Sequence, residues 1–187
     1  GDSYSIEFGY IRLHDDFWGT HGIHSTNTEE RRPEILDMTS LPEVSLPDPP
    51  PSTYKIPRSL IFVHETDILA VQDPVESFFN VKHTEQMYKK SWSMQPVTWS
   101  LDEFTCLAAV YGLNAELATY FRAEKSMARK MDMCRVAALY LAGGYSHAVH
   151  MYVKEAFRPW DDTGLAIALG EGGLSNQFLA CEPKSAV

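Results

Sequence analysis

"SMARKMDMCRVAALYLAGGYSHAVHM", residues 126–151, is the stretch on which the fold turns. Met127, Met131, Cys134, Ala138 and Leu141 recur at helical spacing and draw one apolar stripe. Gly143 and Gly144 then stop the helix, since glycine takes the left-handed conformation of a helix end without steric cost. "YSHAVHMYV" (145–153) follows with the character of a strand. Side chains two apart on a strand share a face, so Ala148 and His150 are expected to point together and His147 away from them. A regular strand therefore cannot bring His147 and His150 of "HAVH" to one metal ion. Asp132 and Arg135, three apart, share a helix face beside the apolar stripe. Their spacing alone reads first as a surface ion pair, and otherwise as a polar pair facing a crevice together with the strand.

Working outward, the same alternation of elements continues. "SLIFVHE" (59–65) is a short β-branched apolar run suited to a buried first strand. "NVKHTEQMYKKSW" (80–92) reads as a helix capped by Asn80, with Val81, Met87, Tyr88 and Trp92 as its apolar contacts. "PVTWSL" (96–101) is the next strand. "DEFTCLAAVYG" (102–112) is a helix that opens on two acids and stops at Gly112, and "NAELATYFRAE" is a further helical stretch. "LAIALG" (165–170) and "NQFLACEP" (176–183) complete the strands. Strands alternating with helices predict an α/β domain on a mostly parallel sheet flanked by helices. In such a sheet a ligand binds beyond the carboxyl ends of the strands.

Residues 1–53 differ in texture. Five prolines fall between positions 42 and 51 in "LPEVSLPDPPPS". Proline fixes φ and donates no hydrogen bond, which predicts an extended arm over 1–53, ahead of a domain over 54–187. His14, His21 and His24 lie in this arm without accompanying ligand spacing, and read as part of a solvated loop rather than a metal site. The arm is expected to engage a protein partner or the domain's own surface. The 187 residues carry a net charge of −9 and no basic run, which argues against nucleic acid as a partner. No stretch approaches the roughly 18 consecutive apolar residues of a membrane span, so no transmembrane segment is expected. The three cysteines, Cys106, Cys134 and Cys181, are widely spaced among apolar neighbours and read as buried free thiols rather than a disulfide pair.

Four ordered blocks add a resemblance. "KIPRSLIFVHETD", "NVKHTEQMYKKSW", "RKMDMCRVAALYLAGGY" and "LSNQFLACEP" resemble the DXD-containing sugar-binding-region glycosyltransferases, relatives of the initiating α-1,6-mannosyltransferase. The glucosyltransferase domain of large clostridial toxins is a more distant likeness. The match runs from about 55 to 183. It implies a GT-A fold, a nucleotide-sugar donor and a divalent metal, Mn²⁺ or Mg²⁺. By resemblance, Asp132 and Arg135 would contact the donor sugar, His64 and Thr66 would lie near the donor pocket, and Gly143 and Gly144 would belong to the same site. The family would read Gly-Gly-x-Tyr-x-Asp-x-Asp across 143–150. This chain has Ser146, Ala148 and His150 at the tyrosine and the two acids, so the DXD is degenerate. Those acids hold the cation that neutralises the leaving diphosphate, and a lone imidazole is a poor ligand for a hard cation. Their loss implies about 10³-fold or more in rate. The expectation is a pseudo-glycosyltransferase with no catalytic residues, no metal and no cofactor, serving as a subunit of a larger assembly. The alternative is an active hexosyltransferase of mannosyl or glucosyl type that uses a nucleotide sugar, with Mn²⁺ or Mg²⁺, at an atypical donor site. The family suggests a secretory-pathway lumen and leaves open another organelle lumen or a membrane-associated complex. The family's C-terminal part would lie beyond Val187, so the domain reads as C-terminally incomplete.

Overall fold

A computed structural model describes residues 53–73, 75–170 and 173–185. The Pro-rich arm, with His14, His21 and His24, falls outside the described residues up to Ser52. The elements run β1 (Ser59–Val63), α1 (Glu76–Trp92), β2 (Val97–Leu101), α2 (Glu103–Leu113), α3 (Ala115–Ala123), α4 (Met127–Ala142), β3 (Gly144–His147), β4 (Leu165–Gly170) and β5 (Gly173–Cys181). Among the described residues the strands form one five-stranded sheet in the order β2-β1-β3-β5-β4. β1 is parallel to both β2 and β3, whereas β5 is antiparallel to both β3 and β4.

The sheet is therefore mixed, and the mostly parallel sheet expected from the alternation holds only for β2-β1-β3. The reason lies in the link between the last two strands. Only residues 171 and 172 separate β4 from β5, and a parallel crossover needs about a dozen or more.

Side-chain alternation divides the core into two layers. Leu60 and Phe62 face a layer built by Val81, Tyr88 and Trp92 of α1 with Tyr145, Phe157 and Phe178. Ile61 and Val63 face the opposite layer, formed by α2, α3 and α4. Every residue of β1 is buried, as suits a central strand covered on both faces. The apolar stripe of α4 meets this second layer, with Cys134 and Ala138 fully buried and Met131 and Leu141 packed at its margin.

Several boundaries differ from the sequence reading, each for a local reason. α1 starts at Glu76 with Val75 as its N-cap residue, so Asn80 is interior. Phe78, one turn before Val81, packs on the core and extends the apolar face backward. α2 passes through Gly112 and ends at Leu113. The stop belongs to Asn114, whose side chain accepts the Leu117 N–H and caps α3 instead. β3 ends at His147 rather than running to 153, and a turn follows it.

The cysteines also differ from expectation. Cys106 of α2 and Cys134 of α4 form a disulfide, with Cα atoms 5.0 Å apart, and only Cys181 is a free, buried thiol. Wide spacing hid this pair because the two helices lay their cysteine faces against each other in the second core layer.

Candidate functional site

The carboxyl ends of β1, β2 and β3 lie along one edge of the sheet, because these three strands are parallel and adjacent. His64, Glu65 and Thr66 follow β1, Asp102 follows β2, and Ala148 follows β3. α4, running opposite to β3, supplies Asp132 and Arg135. This edge is the candidate site.

His64 is partly buried, and its backbone N–H donates to the Leu101 carbonyl at 3.1 Å. Its ring Nδ1 lies 3.4 Å from both the backbone nitrogen and the hydroxyl of Thr66, so the two residues form one local turn. Beside them opens a cleft of about 500 Å³, lined by Glu65, Asp102, Glu103, Phe104, Phe121 and Lys130 among others. Asp102 is already engaged there: its carboxylate accepts the Thr105 N–H and hydroxyl as the cap of α2. Lys130 pairs with Glu103 and lies over the Phe121 ring.

Asp132 and Arg135 meet as an ion pair at 3.7 Å, but they are unequal. The Asp132 side chain is 47% exposed, and that of Arg135 only 8%. Arg135 Nη1 also donates to the Asn176 carbonyl of β5, while its Nε has no partner among the described residues. Burial lowers the guanidinium pKa, and the nearby Asp132 partly opposes that shift. Arg135 thus ties α4 to β5.

The chain leaves β3 in a way the strand period could not predict. Ala148 N–H donates to the Gln177 carbonyl at 2.8 Å, and the Ala148 carbonyl accepts from Met151 N–H at 2.9 Å. The first bond continues the β3–β5 ladder by one residue, and the second closes a turn over 148–151. Ala148 is 5% exposed and His150 lies exposed on the turn, so the strand face they were expected to share does not exist. His147 points to the other layer, as alternation required. It is buried, and its Nε2 shares a hydrogen bond with the Tyr88 hydroxyl at 2.8 Å. Tyr88 has a pKa raised by burial and takes a hydrogen bond from the Phe157 backbone. Burial, helped by the Arg135 charge, pushes the His147 pKa down to about 3. The imidazole is neutral, and its Nδ1 has no hydrogen-bond partner among the described residues.

Gly143 and Gly144 lie at the opposite end of β3, away from this edge. A Cβ on Gly143 (φ +65°) would meet Pro183 at 2.7 Å and Pro57 at 2.9 Å, and one on Gly144 would meet the Ser59 carbonyl at 2.8 Å. Their role is to turn α4 into β3 against crowded backbone. His64, Thr66, Asp132, Arg135 and Ala148 thus gather toward one edge, His150 projects from its turn, and the glycine pair stays apart.

The residues after β3 do not fit a hard divalent cation. Ala148 offers no donor and His150 a single nitrogen, and among the described residues no cluster of three or more His, Cys, Asp or Glu could hold a metal ion. The Tyr88–His147 bond and the Arg135–Asn176 bond escaped the sequence reading. Their only signal was an arginine set between Cys134 and Val136 in α4 and a histidine closing a short strand. No helix among the described residues is long and apolar enough to cross a membrane. No protein-family model matches the chain, and a search of curated proteins finds no match.

Proposed function

We propose that the chain is a glycosyltransferase-like domain of GT-A type that has lost metal-dependent catalysis and serves as a binding or structural subunit of a larger assembly. The turn after β3 carries this reading. It offers a buried methyl at Ala148 and one exposed imidazole at His150, where two carboxylates would have to hold a cation. Without that cation a leaving diphosphate loses its main electrostatic support, about 10³-fold or more in rate. Arg135 supports the same reading, because its guanidinium is turned to the Asn176 carbonyl inside the protein.

One observation favours the alternative, an active hexosyltransferase with an atypical donor site. Asp132 keeps its carboxylate half-exposed beside the edge, where it could accept sugar hydroxyls. Calorimetric titration of the full chain with UDP- and GDP-hexoses, with and without Mn²⁺, separates the two, together with an assay of donor hydrolysis. The expected outcome is no Mn²⁺-stimulated hydrolysis. Steady turnover that rises with Mn²⁺ would establish the enzyme instead.

A further inference from the structure

The contact between α2 and α4 is made largely of small side chains. Beside the larger Val110 and Leu139, Cys106, Ala109, Cys134, Ala137 and Ala138 are buried in the core layer these helices share. Such residues let two helices approach closely, but each removes little apolar surface from water, so the helix pair gains little from burial alone. The disulfide joins the helices at this point, across 28 residues of sequence. Cys134 also sits between Asp132 and Arg135, the two residues that α4 brings to the sheet edge. α4 is therefore held from two sides, by the bridge to α2 and by Arg135 on the Asn176 carbonyl of β5.

We infer that the Cys106–Cys134 bridge is a maturation lock, formed before α4 closes on α2, which makes the placement of Asp132 and Arg135 conditional on an oxidising environment. Both sulfur-bearing residues are buried, at 2% and 0% exposure, so no oxidant reaches them once the helices have packed. In the closing step the two thiols become one disulfide. Two electrons and two protons pass to the disulfide of a thiol oxidoreductase, which leaves as a dithiol. In the closed domain Cys181 shares this core layer, and its thiol, buried against the Leu139 carbonyl with a pKa pushed up to about 12, is kept from exchanging with the finished bridge. Disulfides of this kind persist in oxidising compartments. The inference does not rest on the glycosyltransferase reading, since it concerns only how α4 is fixed.

The test uses the full chain produced in an oxidising and in a reducing compartment. Alkylation under denaturing conditions, read by mass spectrometry, should find one thiol per oxidised chain, that of Cys181. Reduction by a dithiol should be slow in the folded protein and should lower Tm by about 10 °C. Amide exchange across Met127–Ala142 should then quicken about tenfold or more. A Cys106→Ala/Cys134→Ala variant should behave like the reduced chain and ignore reductant. If that variant fails to fold, Cys181→Ala still decides, with no alkylatable thiol in its oxidised form expected. Three alkylatable thiols in the oxidised wild type, or equal exchange of α4 in oxidised and reduced chains, would overturn the lock.

Discussion

His147 shows what burial does to a single titratable group in this protein. Its imidazole sits between the Tyr88 hydroxyl, to which it is hydrogen-bonded, and the Phe178 ring 4.7 Å away. The Arg135 charge reaches it from the other layer and adds to the desolvation that keeps it neutral. The folded pKa of about 3 lies below the unfolded value of 6.5, so between those two values the unfolded chain binds the extra proton. Stability from this residue is therefore fully present above pH 6.5 and is lost as the pH falls toward 3. The slope from this one group reaches about 1.4 kcal/mol per pH unit. His147→Gln keeps an acceptor for Tyr88 and cannot titrate. Denaturant unfolding of both proteins from pH 7 to pH 4 should show a shallower acid loss in the variant, by close to one proton. Parallel curves would mean that His147 takes up its proton in the folded state as readily as in the unfolded chain.

At the scale of elements, the α4–Gly–Gly–β3 unit explains both what could be read in advance and what could not. The stripe Met127–Leu141 and the glycine stop depend only on local period and backbone freedom, so helix, stop and strand start were legible. Gly143 adopts φ +65°, where a side chain is strained, and a Cβ there would meet two prolines. Gly143→Ala should therefore destabilise the fold by about 3 kcal/mol, read as a lower denaturant midpoint with unchanged m-value. A loss below about 0.5 kcal/mol would show that the turn relaxes freely. The end of β3 was not legible, because Met151 N–H turns back to the Ala148 carbonyl directly after Ala148 makes its in-register bond to Gln177, and the run 145–153 holds no glycine or proline to mark that turn. Asn80 misled for a related reason: a good cap residue gives way where Phe78 can extend the buried face of α1. Cys106 and Cys134 carried no local sign of each other, since their meeting depends on how α2 and α4 pack.

Across the whole molecule, parallel pairing of β2, β1 and β3 brings three strand ends to one edge, and the antiparallel β5 closes the side beside β3. That gathering of His64, Thr66, Asp132, Arg135 and Ala148 followed from the alternation of elements. The chemistry of the edge did not, because it depends on one buried methyl and on a turn that shows His150 to solvent. Restoring both acids tests whether the edge is a donor site missing only its ligands. A carboxylate at Ala148 would be nearly buried, so without a cation the Ala148→Asp/His150→Asp variant should lose about 1–3 kcal/mol of stability. If the edge still supplies further oxygen donors, Mn²⁺ at 100 times its Kd should return about 2.7 kcal/mol, a rise of several degrees in Tm. UDP- or GDP-hexose should then add to that rise only in the presence of Mn²⁺. The unmodified chain and the single variant His150→Asp, whose side chain stays in solvent, should show no such shift. A double variant that stays destabilised at every Mn²⁺ concentration would mean that the edge has lost more than two carboxylates, and would leave the domain as a scaffold without a donor pocket.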